Sequence, residues 1–487
     1  MQLQDILRDI QVLKKTAEDS TEIREICYDS RLVKPGDLFV AIRGFDTDGH
    51  KYIPSAAELG AAAVICEEVP TVDIPYVLVE DCRNALALAG KNFYHDPSSE
   101  MTVIAVTGTN GKTTSTYLLK HMIEEVAKEK VGLIGTNGNM IGDVAFHTER
   151  TTPESLELQK LFREMADSGC KYVVMEVSSH SLVLSRVDGI HFHTGIFTNL
   201  TQDHLDFHKT MEEYARAKAL LFRRCEYGCF NIDDAWSDNM MKDATCSVMT
   251  YSAESTDADL IAKDPRFASD GVRFHVMYKN ELQRVNLKIP GVFSVYNALG
   301  VIAAGLSVGF TLEQCCEAMN TATGVKGRME VVPTDGDYTI LIDYAHTPDA
   351  LENVLKSLRA VTKGRIVALF GCGGDRDRTK RPIMGRIGAE NADFCIITSD
   401  NPRTEDPEAI IQDILEGLKE DNLKYVPKEI IPDRVKAIQW AIDNHKDHDV
   451  IVLCGKGHED YQIVGHEKHH LDEREVIAEH LERRKKV

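Results

Sequence analysis

The stretch Gly108-Thr109-Asn110-Gly111-Lys112-Thr113-Thr114 carries the plainest chemistry in the chain. Glycines let backbone N–H groups turn inward on an anion, and a helix starting behind them adds the positive end of its dipole. Lys112 can reach terminal phosphates, and the Thr113 hydroxyl can ligate Mg²⁺. Ahead of the loop, Val103-Ile104-Ala105-Val106 is apolar and short, as a buried parallel strand requires. Behind it, Tyr117, Leu118, His121, Met122 and Val126 recur at helical spacing. Strand, glycine loop, Lys-Thr-Thr and helix in register predict a nucleotide-binding loop rather than a plain turn. It is shorter than the common Walker spacing, with Thr107 ahead of Gly108.

Further candidates stand where strands should end. Tyr172 to Val177 reads as a strand carrying Glu176, followed by Ser178-Ser179-His180. Parallel α/β sheets place ligands at strand carboxyl ends, so Glu176 is positioned as a Mg²⁺ ligand. Gly195 to Leu200 reads as another strand, opening into a loop rich in oxygen and imidazole groups that includes His204. Tyr214 to Phe222 reads as a helix in which Lys218 lies among alanines; by spacing alone it is an ordinary helix lysine. Tyr28-Asp29-Ser30-Arg31 and the loop Gly44 to His50 are polar and able to touch a ligand, or simply turns.

The elements that must position these groups follow from the wider pattern. A chain of 487 residues, 43% apolar and 27% charged, suits a soluble protein of about three domains. The net charge of −21 argues against a general nucleic-acid or anionic-membrane surface, while leaving room for a local basic pocket. No signal-peptide pattern or membrane-span-length apolar run is seen, and the twelve cysteines form no CxxC, so a reducing cytoplasm is expected. Residues 1–99 predict a small α/β domain with strands near 37–42, 61–66 and 76–79. A turn-rich break at His95 to Ser99 precedes the phosphate-loop domain, residues 100–330. Residues 331–487 predict a third α/β domain. Four of its strands open into polar or glycine-rich loops: Asp343 to Asp349, Gly371 to Arg378, Asp400 to Arg403 and Gly455 to Asp460. These should collect on one sheet edge. Gly371-Cys372-Gly373-Gly374 lacks the dinucleotide spacing, so an NAD role is rejected.

In order along the chain, TGTNGKTT, MEVSSHSL, NLTQDHLDFH, YARAKALLF, GRME, DYAHTPDALE, FGCGGDRDRTKRP, DNPRTEDP and GKGHEDYQ resemble the Mur ligase family over essentially the whole length. The resemblance implies an α/β protein of three domains: a uridine-nucleotide-binding domain, a central P-loop ATPase domain with a mostly parallel sheet, and a Rossmann-like amino-acid-binding domain. It implies a cytoplasmic, monomeric, ATP-dependent amide-bond-forming ligase of peptidoglycan precursor synthesis. ATP would phosphorylate the D-glutamate carboxylate of UDP-N-acetylmuramoyl-L-alanyl-D-glutamate, and an amine of the incoming amino acid would displace the phosphate.

The resemblance also implies roles. Thr113 and Glu176 match ligands of one Mg²⁺, His204 matches a ligand of a second, and Lys218 matches the family's carbamylated lysine; a carbamate offers carboxylate-like oxygens where a bare ammonium would repel the metal. Lys112, Glu176, His204 and Lys218 form the expected catalytic set. Asn297, Arg328, Asp343 and His346 match ATP contacts beside the phosphate loop. Tyr28, Ser30, Phe45, Asp46, Thr47, Arg150, Thr151, Thr152, Ser178, Leu184 and Arg186 match contacts of the uridine-linked substrate. Asp400-Asn401-Pro402-Arg403 matches relatives that add meso-diaminopimelate, whereas those adding L-lysine lack this arginine. Arg403 can grip the extra carboxylate bidentately, with Arg376 as a second carboxylate anchor and Gly455 and Glu459 as partners for that head, Glu459 taking its ammonium. The alternatives are a lysine-adding relative, a folate-type polyglutamate ligase, and a P-loop ATPase without a ligase step; DNPR and the N-terminal domain stand against the folate type.

Overall fold

The computed structural model describes the chain apart from residues 45, 46, 147, 149, 269, 360, 420–422, 486 and 487, and the side chain of residue 206. The fold is α/β, as expected, and divides into two compact units. One holds Met1–Asp259 with Gly300–Thr311, and the other Leu260–Leu299 with the chain from Leu312 onward.

The first unit contains two sheets. The N-terminal sheet runs Val12–Lys15, Tyr76–Val79, Ala63–Cys66, Leu38–Val40, Ile26–Cys27, antiparallel at the first pair and parallel thereafter. The two-residue strand Ile26–Cys27 was not foreseen; two residues give too little alternation to read. In the larger sheet, Thr102–Thr107 lies between Tyr172–Glu176 and Phe192–Phe197, parallel to both. Val106 pairs with Glu176 and Thr107 with Phe197, so these three carboxyl ends are level. Cys225–Asn231 and Ser247–Ser252 extend the parallel run on one side. Val131–Gly135 lies on the other, continued by an antiparallel meander through Gly138–Ile141 and Val144–Phe146. Val103, Ala105, Val173, Met175, Phe162 and Met165 are buried together beneath it. Each of these side chains but that of Ala105 contributes roughly 1.5–3 kcal/mol by leaving water. The strand expected over 195–200 ends at Phe197, because Thr198 and Asn199 turn to bond the phosphate loop.

In the second unit, Leu260–Ala268, Gly271–Tyr278 and Glu281–Leu287 form an antiparallel meander. The C-terminal sheet runs Glu330–Val332, Thr339–Asp343, Val450–Cys454, Ile366–Phe370, Phe394–Ile397, Lys428–Ile430, antiparallel only at its first pair. Asp343 pairs with Cys454 and Phe370 with Ile397, so the four polar loops leave one edge. Among the described residues no helix is long and apolar enough to cross a membrane.

Candidate active site

The phosphate loop is shaped by its neighbours as much as by its glycines. Gly108 has φ +152°, and a Cβ there would lie 1.9 Å from Thr198 Oγ1, so no side chain fits. Gly111, at φ +87°, caps the helix Lys112–Ala127. Asn110 N–H donates to Asn199 Oδ1 (2.9 Å), Thr198 Oγ1 donates to Asn110 O (2.7 Å), and Thr107 Oγ1 donates to Val177 O (2.9 Å). These bonds fix the loop from both flanking strands. Lys112 Nζ donates to the carbonyls of Gly108 (2.9 Å) and Thr109 (2.8 Å), which folds its ammonium back over the loop. Thr113 and Thr114 are buried in the first helical turn, whose amide groups and dipole suit an anion. Of the five residues read as one helical face, Leu118 and Met122 are buried, while Tyr117, His121 and Val126 lie at its margin.

Glu176 is buried at its strand end. Thr136 donates to both carboxylate oxygens, from N–H at 2.9 Å and from Oγ1 at 3.0 Å. A Cβ on Gly135 would stand 2.5 Å from Glu176 Oε1, so glycine makes room for the carboxylate. Lys218 lies in the helix Met211–Ala219, which gives way to a 3₁₀ turn at Leu220–Arg223 where a continuous helix was expected. Its Nζ donates to Gly108 O at 2.8 Å and sits 4.5 Å from the Tyr214 ring centre. Burial pushes the Lys218 ammonium well below the usual lysine range, and the nearby Lys112 charge adds to this. His204 is exposed, at φ +54°, with Nε2 3.5 Å from Asp203 Oδ2 and its ring 4.9 Å from that of His180. Among the described residues no three His, Cys, Asp or Glu side chains gather as a metal site. The expected ligands include only one Glu and one His, divided between two Mg²⁺ ions, and draw their other oxygens from Thr113 and a modified lysine. Those oxygen donors suit Mg²⁺.

The expected sugar-peptide contacts lie mostly beside the strand ends of the first unit. Thr151 Oγ1 is 3.0 Å from Thr136 Oγ1, and Thr152 Oγ1 donates to Glu176 O (2.9 Å) and accepts from Ser178 N–H (3.2 Å). Ser178 caps the helix Ser179–Val183, and Leu184 closes it by donating N–H to His180 O (2.8 Å). Arg186 donates to Thr152 O (3.3 Å), and burial draws its guanidinium below the usual range. Tyr28 donates to Glu157 Oε1 (2.6 Å), which with burial pushes its phenol upward. Tyr28, Arg150, Glu154, Glu157 and Lys160 line a cavity of about 450 Å³. Ser30 is buried in the turn Ser30–Leu32, and Thr47 Oγ1 is 3.1 Å from Tyr52 OH. Phe45 and Asp46 lie outside the described residues.

Buried Glu154 was missed. Its Oε2 is 3.4 Å from Arg186 Nε, 3.5 Å from Arg83 Nη1 and 3.8 Å from Arg150 Nη1. Three guanidinium groups around one carboxylate leave an excess of positive charge, which suits an acidic ligand. The sequence signal is slight: Glu154 directly follows the Thr151-Thr152-Pro153 turn.

In the second unit, Asp343 accepts N–H bonds from Met329 and Ala345, each at 2.8 Å, and burial pushes its carboxyl upward. Arg328 lies 4.8 Å over the Tyr344 ring. His346 Nδ1 is 2.8 Å from Tyr344 O, and burial draws its imidazole downward. Asn297 is buried, and its Nδ2 has no hydrogen-bond partner among the described residues. Leaving such a donor unmet costs about 1–3 kcal/mol, which a ligand acceptor would recover.

The C-terminal loops bring the expected amino-acid contacts together. Asn401 Nδ2 donates to Glu459 Oε2 at 2.9 Å. Arg403, at φ +51°, donates from Nη1 to Gly374 O (2.9 Å). Gly455, at φ +114°, leaves room for Asp400, whose Oδ2 would lie 3.2 Å from a Cβ there. Pro402 is buried between Asn401 and Arg403, and Arg376 is exposed, donating to Asp375 O (3.0 Å). Buried arginines tie the loops underneath. Arg434 reaches Ser399 O (3.3 Å), Cys454 O (2.9 Å) and Glu473 Oε1 (2.8 Å); Arg381 reaches Gly373 O (3.2 Å) and Glu405 Oε1 (2.8 Å). Neither arginine was singled out, because nothing local marks a buried guanidinium.

Family models match in three segments: "Mur ligase family, catalytic domain" over residues 22–94, "Mur ligase middle domain" over 106–305, and "Mur ligase, glutamate ligase domain" over 327–457. A protein of Clostridium botulinum named UDP-N-acetylmuramoyl-L-alanyl-D-glutamate--2,6-diaminopimelate ligase is 50% identical, covering 95% of this chain and 96% of the relative. A Clostridium acetobutylicum protein of the same name, numbered 1, is 49% identical over 99% of both chains. A solved structure described by that name superposes with a TM-score of 0.75 at 32% identity, over 100% of this chain and 99% of the other. With such identity over nearly its full length, and with the glycine loop and strand-end residues built as described, the chain belongs to the Mur ligase family.

Proposed function

We propose that this chain is an ATP-dependent ligase that joins meso-diaminopimelate to UDP-N-acetylmuramoyl-L-alanyl-D-glutamate in peptidoglycan precursor synthesis. The observation that carries the reading is the loop cluster holding Asp400, Asn401, Arg403, Gly455 and Glu459. An acid pair and a guanidinium stand on adjoining loops, as a second amino-acid head with both ammonium and carboxylate requires.

A carboxylate acylates poorly until it carries a leaving group. In this reading Lys112 and the loop amides hold the phosphates of ATP while the γ-phosphoryl group passes to the D-glutamate carboxylate. An amine of diaminopimelate then attacks the acyl carbon, the C–N bond forms, phosphate leaves, and the amine loses a proton. Thr113, Glu176, His204 and carbamylated Lys218 would hold Mg²⁺, which when bound neutralises phosphate charge. Burial favours the neutral Lys218 amine, the form that adds CO₂: the N–C bond forms and one amine proton is released. Arg186 and Arg150, steadied by Glu154, suit the acidic sugar-peptide. Asn297, Arg328, Asp343 and His346 are assigned to ATP.

The same reading gives residues 1–99 the uridine substrate, 100–330 ATP and 331–487 the amino acid, in a cytoplasmic monomer. Twelve free thiols suit a reducing compartment. The test is amide formation from the UDP-linked dipeptide, ATP and Mg²⁺, comparing meso-diaminopimelate with L-lysine. Product with the former and little with the latter is expected. Equal use of both would favour the lysine-adding alternative, and ATP turnover without amide would favour a plain ATPase.

A further inference from the structure

Beneath the amino-acid loops lies a lysine to which the proposed function gives no part. Lys456 stands between Gly455 and Gly457, and its side chain is 0% exposed. Its three N–H groups point to three acceptors: Asn401 Oδ1 at 2.9 Å, Glu459 Oε2 at 2.9 Å and Asp400 Oδ1 at 3.4 Å. Asn401 Oδ1 also accepts the Ile463 N–H at 2.9 Å. Two donors on that oxygen set the amide orientation, so Nδ2 faces Glu459 Oε2. Lys456 is fully buried, yet it meets Glu459, which would take the ammonium end, and the neighbouring Asp400 and Asn401.

We propose that Lys456 is a positioning residue that fits this pocket to a zwitterionic amino-acid head rather than to a bare ammonium. The inference rests on the diaminopimelate reading and deepens it. Asp400 and Glu459 carry two negative charges, and the buried ammonium cancels one. One remains for the ammonium of the ligand, while Arg403 serves its carboxylate. The pocket then matches a head group of zero net charge. Without Lys456 the acid pair would carry its full charge beside the ligand carboxylate, which disfavours the zwitterion. A ligand ending in an ammonium alone would gain attraction from the same change. The Asn401 amide would also lose one of the two donors that set its direction, and Glu459 Oε2 would lose one of its two donors.

The experiment compares the full-length wild type with Lys456→Met and Lys456→Gln. It measures KM and kcat for meso-diaminopimelate and L-lysine, together with trapping of the acyl phosphate by hydroxylamine, a step that precedes the amino acid. The expected result is hydroxamate formation near the wild-type rate. KM for meso-diaminopimelate should rise about tenfold or more, and the preference over L-lysine should fall by about the same factor, which corresponds to ~1.4 kcal/mol of discrimination. An unchanged preference, an equal loss on both amines, or loss of hydroxamate formation in both variants would assign Lys456 to stability alone and overturn the proposal. A wild type that fails to use meso-diaminopimelate would instead overturn the function on which it rests.

Discussion

The phosphate loop and the C-terminal loop cluster stand at the same kind of place, the carboxyl ends of parallel strands, but are built from different materials. The phosphate loop is backbone: glycines at positive φ, a helix start, and carbonyls and amides tied by Thr198 and Asn199. The C-terminal cluster is side chain. Its acids, amide and guanidinium come from two loops, Asp400 to Arg403 and Gly455 to Asp460, tied by buried Arg434, Arg381 and Lys456. Backbone sites tolerate little change in shape, whereas side-chain sites tolerate little change in charge.

The sharpest break should come at the phosphate loop. Lys112→Met removes the cation that lies over the loop, and ADP formation should fall about 10³-fold while the fold persists, as for loss of one preorganised charge stabiliser. Retained turnover would remove Lys112 from phosphoryl transfer. Next is the buried pair of Arg434 and Glu473, both 0% exposed. Arg434→Met strands the Glu473 charge and unties two loops, and should cost about 3–5 kcal/mol in denaturant unfolding of the unit that contains it. A loss below 1 kcal/mol would show that the loops are held otherwise. Arg403→Ala should lower kcat/KM for meso-diaminopimelate about 100-fold, by leaving a ligand carboxylate without its partner. Acyl-phosphate formation should survive, and unchanged kinetics would remove the assignment.

The smallest effect is a pH slope. Burial, aided by Arg328, draws the His458 imidazole down to about 4. Between that value and the ordinary ~6.5, the unfolded chain binds a proton that the folded one does not, so stability rises with pH across this window. Its contribution is fully present above 6.5 and is lost as pH falls toward 4. His458→Asn should flatten that part of the unfolding profile; an unaltered slope would clear His458 of the role.

The sequence by itself determined what depends on neighbours along the chain. Apolar runs predicted the central strands, glycines followed by Lys-Thr-Thr predicted the loop and its helix, and polar residues at strand ends predicted one shared edge in the last domain. These are legible because turn geometry and helix starts are decided within a few residues. Tertiary structure alone decided which distant groups meet. Glu154 gathers Arg83 and Arg186, Thr136 closes on Glu176, Arg434 finds Glu473, and Lys456 reaches Asp400 across more than fifty positions. A buried charge is tolerable only beside its partner, and that partner is chosen by the order in which strands pair, which no local spacing records.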